Sequence, residues 1–274
     1  MTGHASAGDP PSLNADALRD ATGVPTVEAH ASLGSTNDRA RELLDGDTVL
    51  PALVVAREQT AGRGRGANRW WSTDGALTFS LVVGRETARP AAAGVLSVLT
   101  GLALADAVDR ASGVRALVKW PNDLVIGVRK TAGVLIESPR PGSHVVGVGL
   151  NLNNSFEGAP TDVRERSVAI ASVAKRRVSP NAVLAAFLDG WRHLQRQAAA
   201  GDPEPMRRAA EASALTGSAV LVRPAVGPPI EGIATGIDAD GALVVEATGV
   251  VMRVVSGTVA RWGTAPDGQA GRST

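Results

Sequence analysis

Gln59-Thr60-Ala61-Gly62-Arg63-Gly64-Arg65-Gly66-Ala67-Asn68-Arg69-Trp70-Trp71-Ser72 lies between two apolar runs, residues 49–57 and 76–83, and its reading decides how the chain around it is built. From Gly62 onward it holds three glycines, three arginines and two tryptophans. Glycine lets backbone approach a ligand closely and take positive φ. Arginine supplies a fork of donors for carboxylate or phosphate, and adjacent tryptophans offer a flat π face to a base or fused ring. So much charge with so little aliphatic surface cannot pack as a core. The stretch reads as an anion-binding loop held by a sheet and mobile until its ligand arrives. Three uses fit the residues alone: an RGG-like RNA segment, a surface loop without function, or a loop that closes over a nucleotide. The strict G-x-x-x-x-G-K-[ST] phosphate loop is absent. The RNA reading is weakened because the pattern occurs once and the net charge is only +1.

The 274 residues allow one large domain, or a large and a small one, around a sizeable core. Hydrophobic residues make up 44% and charged residues 20%, an ordinary globular balance, so any anion chemistry must be local. Cysteine is absent, which excludes disulfides, thiolate metal sites and a thioester intermediate. His4, His30, His144 and His193 show no metal-ligand spacing. No basic segment precedes an apolar run at the N-terminus, and the uncharged stretch 91–105 is too short to span a bilayer. A cytoplasmic location is the expectation.

Residues 1–25 read as a tail with a short helical pattern at 13–21, too small for a helix-turn-helix. Residues 26–31 suggest a strand, and Ser35 or Thr36 is placed to cap a helix running to about Leu44. Strands are expected at 49–57, 76–83, 116–120, 124–128, 133–137 and 145–152, with a long apolar helix at 90–111 ended by Ser112-Gly113. Ser179-Pro180 opens a helix to about Ala199. Beyond Leu215 the runs 219–223, 230–237, 242–247 and 250–255 are all strand-like, with Asp240-Gly241 as a hairpin turn. The fold class is α+β: a mixed-sheet domain over 26–214, a small β domain over 215–265 and a disordered tail at 266–274.

Lysine is scarce. Of the 28 basic residues only Lys119, Lys130 and Lys175 are lysines, and two of them stand in Lys119-Trp120-Pro121-Asn122-Asp123 and Lys130-Thr131-Ala132-Gly133. Such a cluster of charge around two turns is expensive for plain structure, because buried charges need partners. Trp120 by itself reads as core.

These motifs together resemble the biotin protein ligases. The resemblance rests on Gly34-Ser35-Thr36-Asn37, on Gln59 through Trp70, on the two lysine motifs with Leu135 and Glu137, and on Gly147-Val148-Gly149-Leu150-Asn151-Leu152-Asn153. It covers about residues 26–153, and the terminal β module is similar to that family's SH3-like barrel. It implies a class II synthetase-like catalytic domain of the short form, without a DNA-binding domain, and no role for DNA or membrane. It also implies an ATP- and magnesium-dependent reaction that activates biotin as biotinyl-5′-AMP and passes it to a lysine of a biotin carboxyl carrier protein. By resemblance Ser35, Thr36, Asn37, Gln59, Arg63, Gly64, Arg65 and Lys130 would bind biotin. Arg63, Arg65, Trp70, Lys119, Asn122, Asp123 and Asn151 would bind ATP or the adenylate, Asp123 could touch the metal, and Lys130 and Arg65 would be catalytic. A lipoate or octanoate ligase of the same fold and a binding module without catalysis remain open. The loop departs from the family pattern x-Gly-Arg-x-Trp at Gly66-Ala67-Asn68-Arg69, where Gly66 is expected to take the turn and Arg69 the charge.

Overall fold

The computed structural model describes residues 14–84 and 93–264. Its helices are α1 (Ala15–Thr22), α2 (Thr36–Asp45), α3 (Ala93–Ser112), α4 (Thr161–Arg166), α5 (Ile170–Ala174), α6 (Pro180–Ala199) and α7 (Glu204–Glu211). The strands are β1 (Thr26–Leu33), β2 (Ala52–Gln59), β3 (Leu77–Val83), β4 (Leu117–Lys119), β5 (Asp123–Ile126), β6 (Arg129–Arg140) and β7 (Ser143–Leu150), then β8 (Ser218–Pro224), β9 (Ile230–Ile237), β10 (Leu243–Ala247), β11 (Val250–Val254) and β12 (Gly257–Thr264). The first seven form a mixed sheet in the order β1-β2-β3-β7-β6-β5-β4. β1 and β2, joined through α2, pair in parallel, and the remaining neighbours are antiparallel.

Period-two alternation assigns the two faces of this sheet. Leu53 and Val55, Phe79 and Leu81, and Val146 and Val148 point into the main core beneath α3 and α6. The intervening Ala52 and Val54, Val82 and Val145 meet Ala40, Leu43 and Leu44 of α2 on the other face. β3 is buried along its whole length because it is covered on both sides. The helix boundaries follow their caps: Ser35 accepts from the Asp38 amide, Ser179 from Ala182 ahead of Pro180, and Gly113 closes α3 at φ 73°.

Several expectations are corrected. α1 is more than a lead-in, since Leu18 has no exposed surface and the helix packs on α6 and β1. Two short helices, α4 and α5, fill the stretch after β7, which showed no periodic pattern. The start of the long helix before Ala93, residues 1–13 and the tail 266–274 lie outside the described residues. The small domain has a fifth strand, β12, and its ladder runs β11-β10-β9-β8-β12. β11 and β12 lie at opposite ends of that ladder yet are joined by Val255 and Ser256 alone. A flat sheet would hold those edges roughly 19 Å apart, whereas the link reaches at most about 11 Å. The sheet therefore rolls up, giving the expected small barrel. Among the described residues no helix is long and apolar enough to cross a membrane.

The docked position of α1 has a measurable consequence. Leu18→Ala is expected to cost about 2–5 kcal/mol of stability, the usual effect of emptying a buried leucine site, read from denaturant midpoints. An unchanged midpoint would show that α1 is an appendage.

Candidate active site

The antiparallel register assembles the site. On the α2 face, Lys119, Asp123, Gly133, Gly149 and Thr78 stand in one row across β4, β5, β6, β7 and β3. The next row is Leu135, Gly147 and Ser80, and the one after it Glu137, Val145 and Val82. The glycines are the floor. A Cβ on Gly147 would collide with the Asn37 carboxamide, and one on Gly149 with the Trp70 ring. Because neither exists, both side chains lie directly on the backbone of β7.

A cleft of about 650 Å³ opens over this floor. Its neutral end is built from the N-terminus of α2. Ser35, Thr36 and Asn37 are nearly fully buried. The Gln59 side-chain oxygen accepts from the Thr36 amide at 2.7 Å and its hydroxyl at 3.1 Å. The Ser80 hydroxyl lies 2.8 Å from Thr36 Oγ1 and 2.6 Å from Asn37 Oδ1. Asn37 Nδ2 donates to Glu137 at 2.7 Å. Each of these groups is fixed before a ligand is considered, which suits recognition of a small polar ring.

The loop after β2 folds over the cleft as a hairpin. Gly64 N donates to Asn68 O, Trp70 N to Gly62 O, and Arg63 bridges Arg69. Gly66 takes the turn at φ 65°, as expected for the altered sequence. The loop expected to move until its ligand arrives is here a hairpin closed by its own backbone. Its arginines have separate tasks. Arg63 pairs with Glu137 through both terminal nitrogens, at 3.1 and 2.8 Å, and with Asp38 at 2.8 Å. Burial opposes the Arg63 charge, but these carboxylates more than offset it and hold its pKa above the ordinary arginine value. Arg65 reaches the small domain, donating to Gly257 O at 2.6 Å and Ser256 Oγ at 3.0 Å. Arg69 is exposed at the rim.

The other end of the cleft is cationic. Lys130 is the second residue of β6, after the two-residue turn Gly127-Val128, and its ammonium lies 2.6 Å from Asp123 Oδ1 and 5.9 Å from the Trp70 ring centre. Gly133 leaves the space that its chain occupies. Lys119 lies 5.8 Å from the ring centre of Trp262 on β12. Its pKa is held below the lysine value of 10.5 by burial, with Asp123 pulling it back up and Lys130 and Arg166 pushing it further down. With Arg63 committed to Glu137 and Asp38, the lining still carries Arg65, Arg69, Lys119 and Lys130 against the carboxylate of Asp123. In a chain of net charge +1, that is a strongly local positive potential.

Of the expected residues, Ser35, Thr36, Asn37, Gln59, Arg63, Gly64, Arg65, Trp70, Lys119, Asn122, Asp123 and Lys130 all line this one cleft. Asn151 does not. It is buried immediately after the end of β7, its side-chain oxygen accepting from Asn154 and its backbone joined to Thr131 and Ile170. Asn122 lines the cleft, but its amide donates to Val134 O at 2.8 Å and so braces the β5–β6 pair. Trp120 is core, as its composition suggested, and its Nε1 donates to Gly241 O of the small domain at 3.0 Å. Sequence reasoning gave no role to Ser80, Glu137, Arg166, Ser256 or Trp262. Alternate glycines in an otherwise apolar β7 were the one available signal, since a strand glycine marks close approach of another group.

Residues 31–153 match the Biotin/lipoate A/B protein ligase family, and residues 217–262 match the biotin protein ligase C-terminal domain. The chain is 34% identical to the biotin–[acetyl-CoA-carboxylase] ligase of Paracoccus denitrificans, over 78% of this chain and 91% of that one. It is 32% identical to the enzyme of that name from Mycobacterium tuberculosis, over 91% and 96%. The structure of the Aquifex aeolicus biotin protein ligase in complex with biotin and ATP superposes with a TM-score of 0.77 at 21% identity, covering 88% of this chain and all of that one, which shows a shared fold. Fold and cleft thus define a protein ligase of the biotin and lipoate class. Within that class, the chain belongs to the biotin–[acetyl-CoA-carboxylase] ligases.

The Lys119 environment sets a trade between stability and binding. Its folded pKa lies below its unfolded one, so between those two values the folded state binds fewer protons and stability rises with pH. At pH 7 the charged lysine therefore costs stability. Lys119→Met is expected to raise stability at pH 7 by about 0.5–2 kcal/mol. The gain should shrink as pH climbs from the depressed value towards 10.5. Melting curves at pH 7 and at high pH measure it, and equal destabilisation at both would refute the burial account.

Proposed function

We propose that the cleft joins biotin to ATP and then to a carrier protein. The observation that supports this reading is the polarity of the cleft, with a fixed neutral pocket at one end and Lys119 and Lys130 at the other beneath a loop of arginines. Biotin's ureido ring would lie against Ser35, Thr36, Asn37 and Gln59. Its carboxylate would attack the α-phosphorus of ATP, forming biotinyl-5′-AMP as the bond to pyrophosphate breaks. The unprotonated ε-amine of a biotin carboxyl carrier protein lysine would then attack the activated carbonyl, forming an amide, releasing AMP and losing one proton.

Both reactants of the first step are anions, so their approach must be offset by cations already in place. Lys130 has the position for this, near both Asp123 and the Trp70 ring, where a compact ammonium can serve carboxylate and phosphate in turn. Lys119 would meet the outer phosphates, and Trp70 would offer its face to the adenine. Arg65, tied to the small domain, would keep the adenylate under the loop. Among the described residues no group of three or more His, Asp or Glu side chains could hold a metal alone. Magnesium retains waters and phosphate oxygens and needs only one or two carboxylates, and Asp123 is the one lining the cleft. Bound there with ATP, it would lower the charge of the phosphates. A reaction that draws on ATP supports a cytoplasmic location.

ATP–pyrophosphate exchange with biotin, and separately with lipoate, tests the reading. Exchange is expected with biotin alone. Lys130→Ala should keep the fold and lose about two to three orders of magnitude of exchange, the effect of removing one preorganised charge. Lys130→Arg should fail too, because a planar fork is larger than an ammonium and holds its donors differently. A near-wild-type rate in Lys130→Ala would remove it from the mechanism.

A further inference from the structure

Glu137 does not line the cleft, yet it holds two residues that do. Its Oε1 accepts from Arg63 at 3.1 Å, and its Oε2 accepts from Arg63 at 2.8 Å and from Asn37 at 2.7 Å. Asn37 is gripped at its other end as well, Oδ1 accepting from Ser80 at 2.6 Å. One carboxylate on β6 therefore fixes the base of the loop and the first turn of α2 against each other.

Charge counting at Arg63 changes the role expected for it. Its guanidinium faces two carboxylates, Glu137 and Asp38, both through the same nitrogen at 2.8 Å. One positive charge against two negative ones leaves a local excess of −1, so a substrate carboxylate approaching that fork would be repelled. The fork is committed to the protein. What Arg63 retains is its Nε–H, buried and without a partner among the described residues. A buried donor left unsatisfied is costly, and a cleft-lining side chain in that state points to a ligand acceptor.

We infer that Glu137 is a positioning residue for the acid substrate, setting Arg63 Nε and the Asn37 carboxamide at a fixed separation so that one carboxylate couples recognition of the ring to the seating of the loop. The inference rests on the biotin reading of the cleft and deepens it. Glutamine cannot replace this carboxylate, because its amide nitrogen would confront an Arg63 N–H or the Asn37 N–H, donor against donor. Asp38 provides the comparison, since it also pairs with Arg63, and among the described residues its carboxylate makes no hydrogen bond to the Asn37 side chain.

The test compares wild type, Glu137→Gln and Asp38→Asn by steady-state exchange with biotin and ATP varied in turn, and by trypsin digestion of the free proteins. Glu137→Gln is expected to raise the biotin KM by about tenfold or more while the ATP KM stays within about twofold, because only groups meeting the acid are displaced. Asp38→Asn should change the biotin KM by less than about threefold. Tryptic cleavage after Arg63 should quicken in Glu137→Gln while sites elsewhere keep their wild-type rates. Parallel rises in both KM values, or a biotin KM no higher than that of Asp38→Asn, would overturn the inference. Absence of biotin-dependent exchange in wild type would overturn the biotin reading instead. The tryptic arm then stands alone, and unchanged cleavage after Arg63 in Glu137→Gln would overturn the role given to Glu137.

Discussion

Everything in the cleft depends on what β7 lacks. Gly147 and Gly149 face α2 from the middle of a sheet whose apolar positions on that face include Val145, Val82 and Val54. A sheet normally holds its neighbours away by the height of its side chains, with about 10 Å between packed layers. At these two positions that spacing collapses, and Asn37 and Trp70 rest on the peptide plane itself. The apolar half of α2 is then bolted to the sheet by Leu43 and Leu44, while its polar first turn reaches the strand backbone. One helix thus serves as both a core element and the rim of a binding pocket, and the changeover occurs within a single strand.

The same floor separates two kinds of chemistry. On the α2 side, Thr36, Asn37, Gln59 and Ser80 are hydrogen-bonded to one another or to the Glu137 carboxylate, so the pocket is rigid and selective in shape. On the β4–β5 side, Lys119, Lys130 and Asp123 are crowded and incompletely neutralised, a state that is unfavourable without an anion and favourable with one. Trp70, standing on Gly149 and near Lys130, marks the border between these halves. A reaction that must bring a carboxylate against a polyphosphate needs both halves at once, and the row structure of the sheet brings them into one cleft.

Much of this was legible in the residues because the signals are local. The β2 and β3 runs, the Ser35 and Ser179 caps, the turn before Lys130 and the hairpin at Asp240-Gly241 each follow from a few neighbouring side chains. β12 was missed because Gly257, Arg261 and Gly263 interrupt its alternation. α4 and α5 were missed because Pro160 and Ala169 precede them without a side-chain cap. The site was legible as a set of residue types and illegible as a geometry. Nothing near Asn151 points to its burial against Asn154, and nothing near Arg65 points to Ser256, 191 positions on. At Arg63, likewise, the two carboxylates that occupy its fork come from other elements. Register, which sequence specifies only through pairing, decides all of these.

The hydrogen bond from Trp120 to the Gly241 carbonyl, and those from Arg65 to Ser256 and Gly257, make the last strands a wall of a cleft whose floor is laid down much earlier in the chain. During synthesis from the N-terminus, a ribosome-bound chain possesses loop, floor and both lysines before that wall exists. Such a nascent chain has nothing to hold Arg65 down, and any activated acyl group formed in it would face open water. The order of the elements therefore ties formation of the barrel to containment of the reactive chemistry. Had the barrel preceded the sheet, the cleft would be enclosed before its last cation arrived.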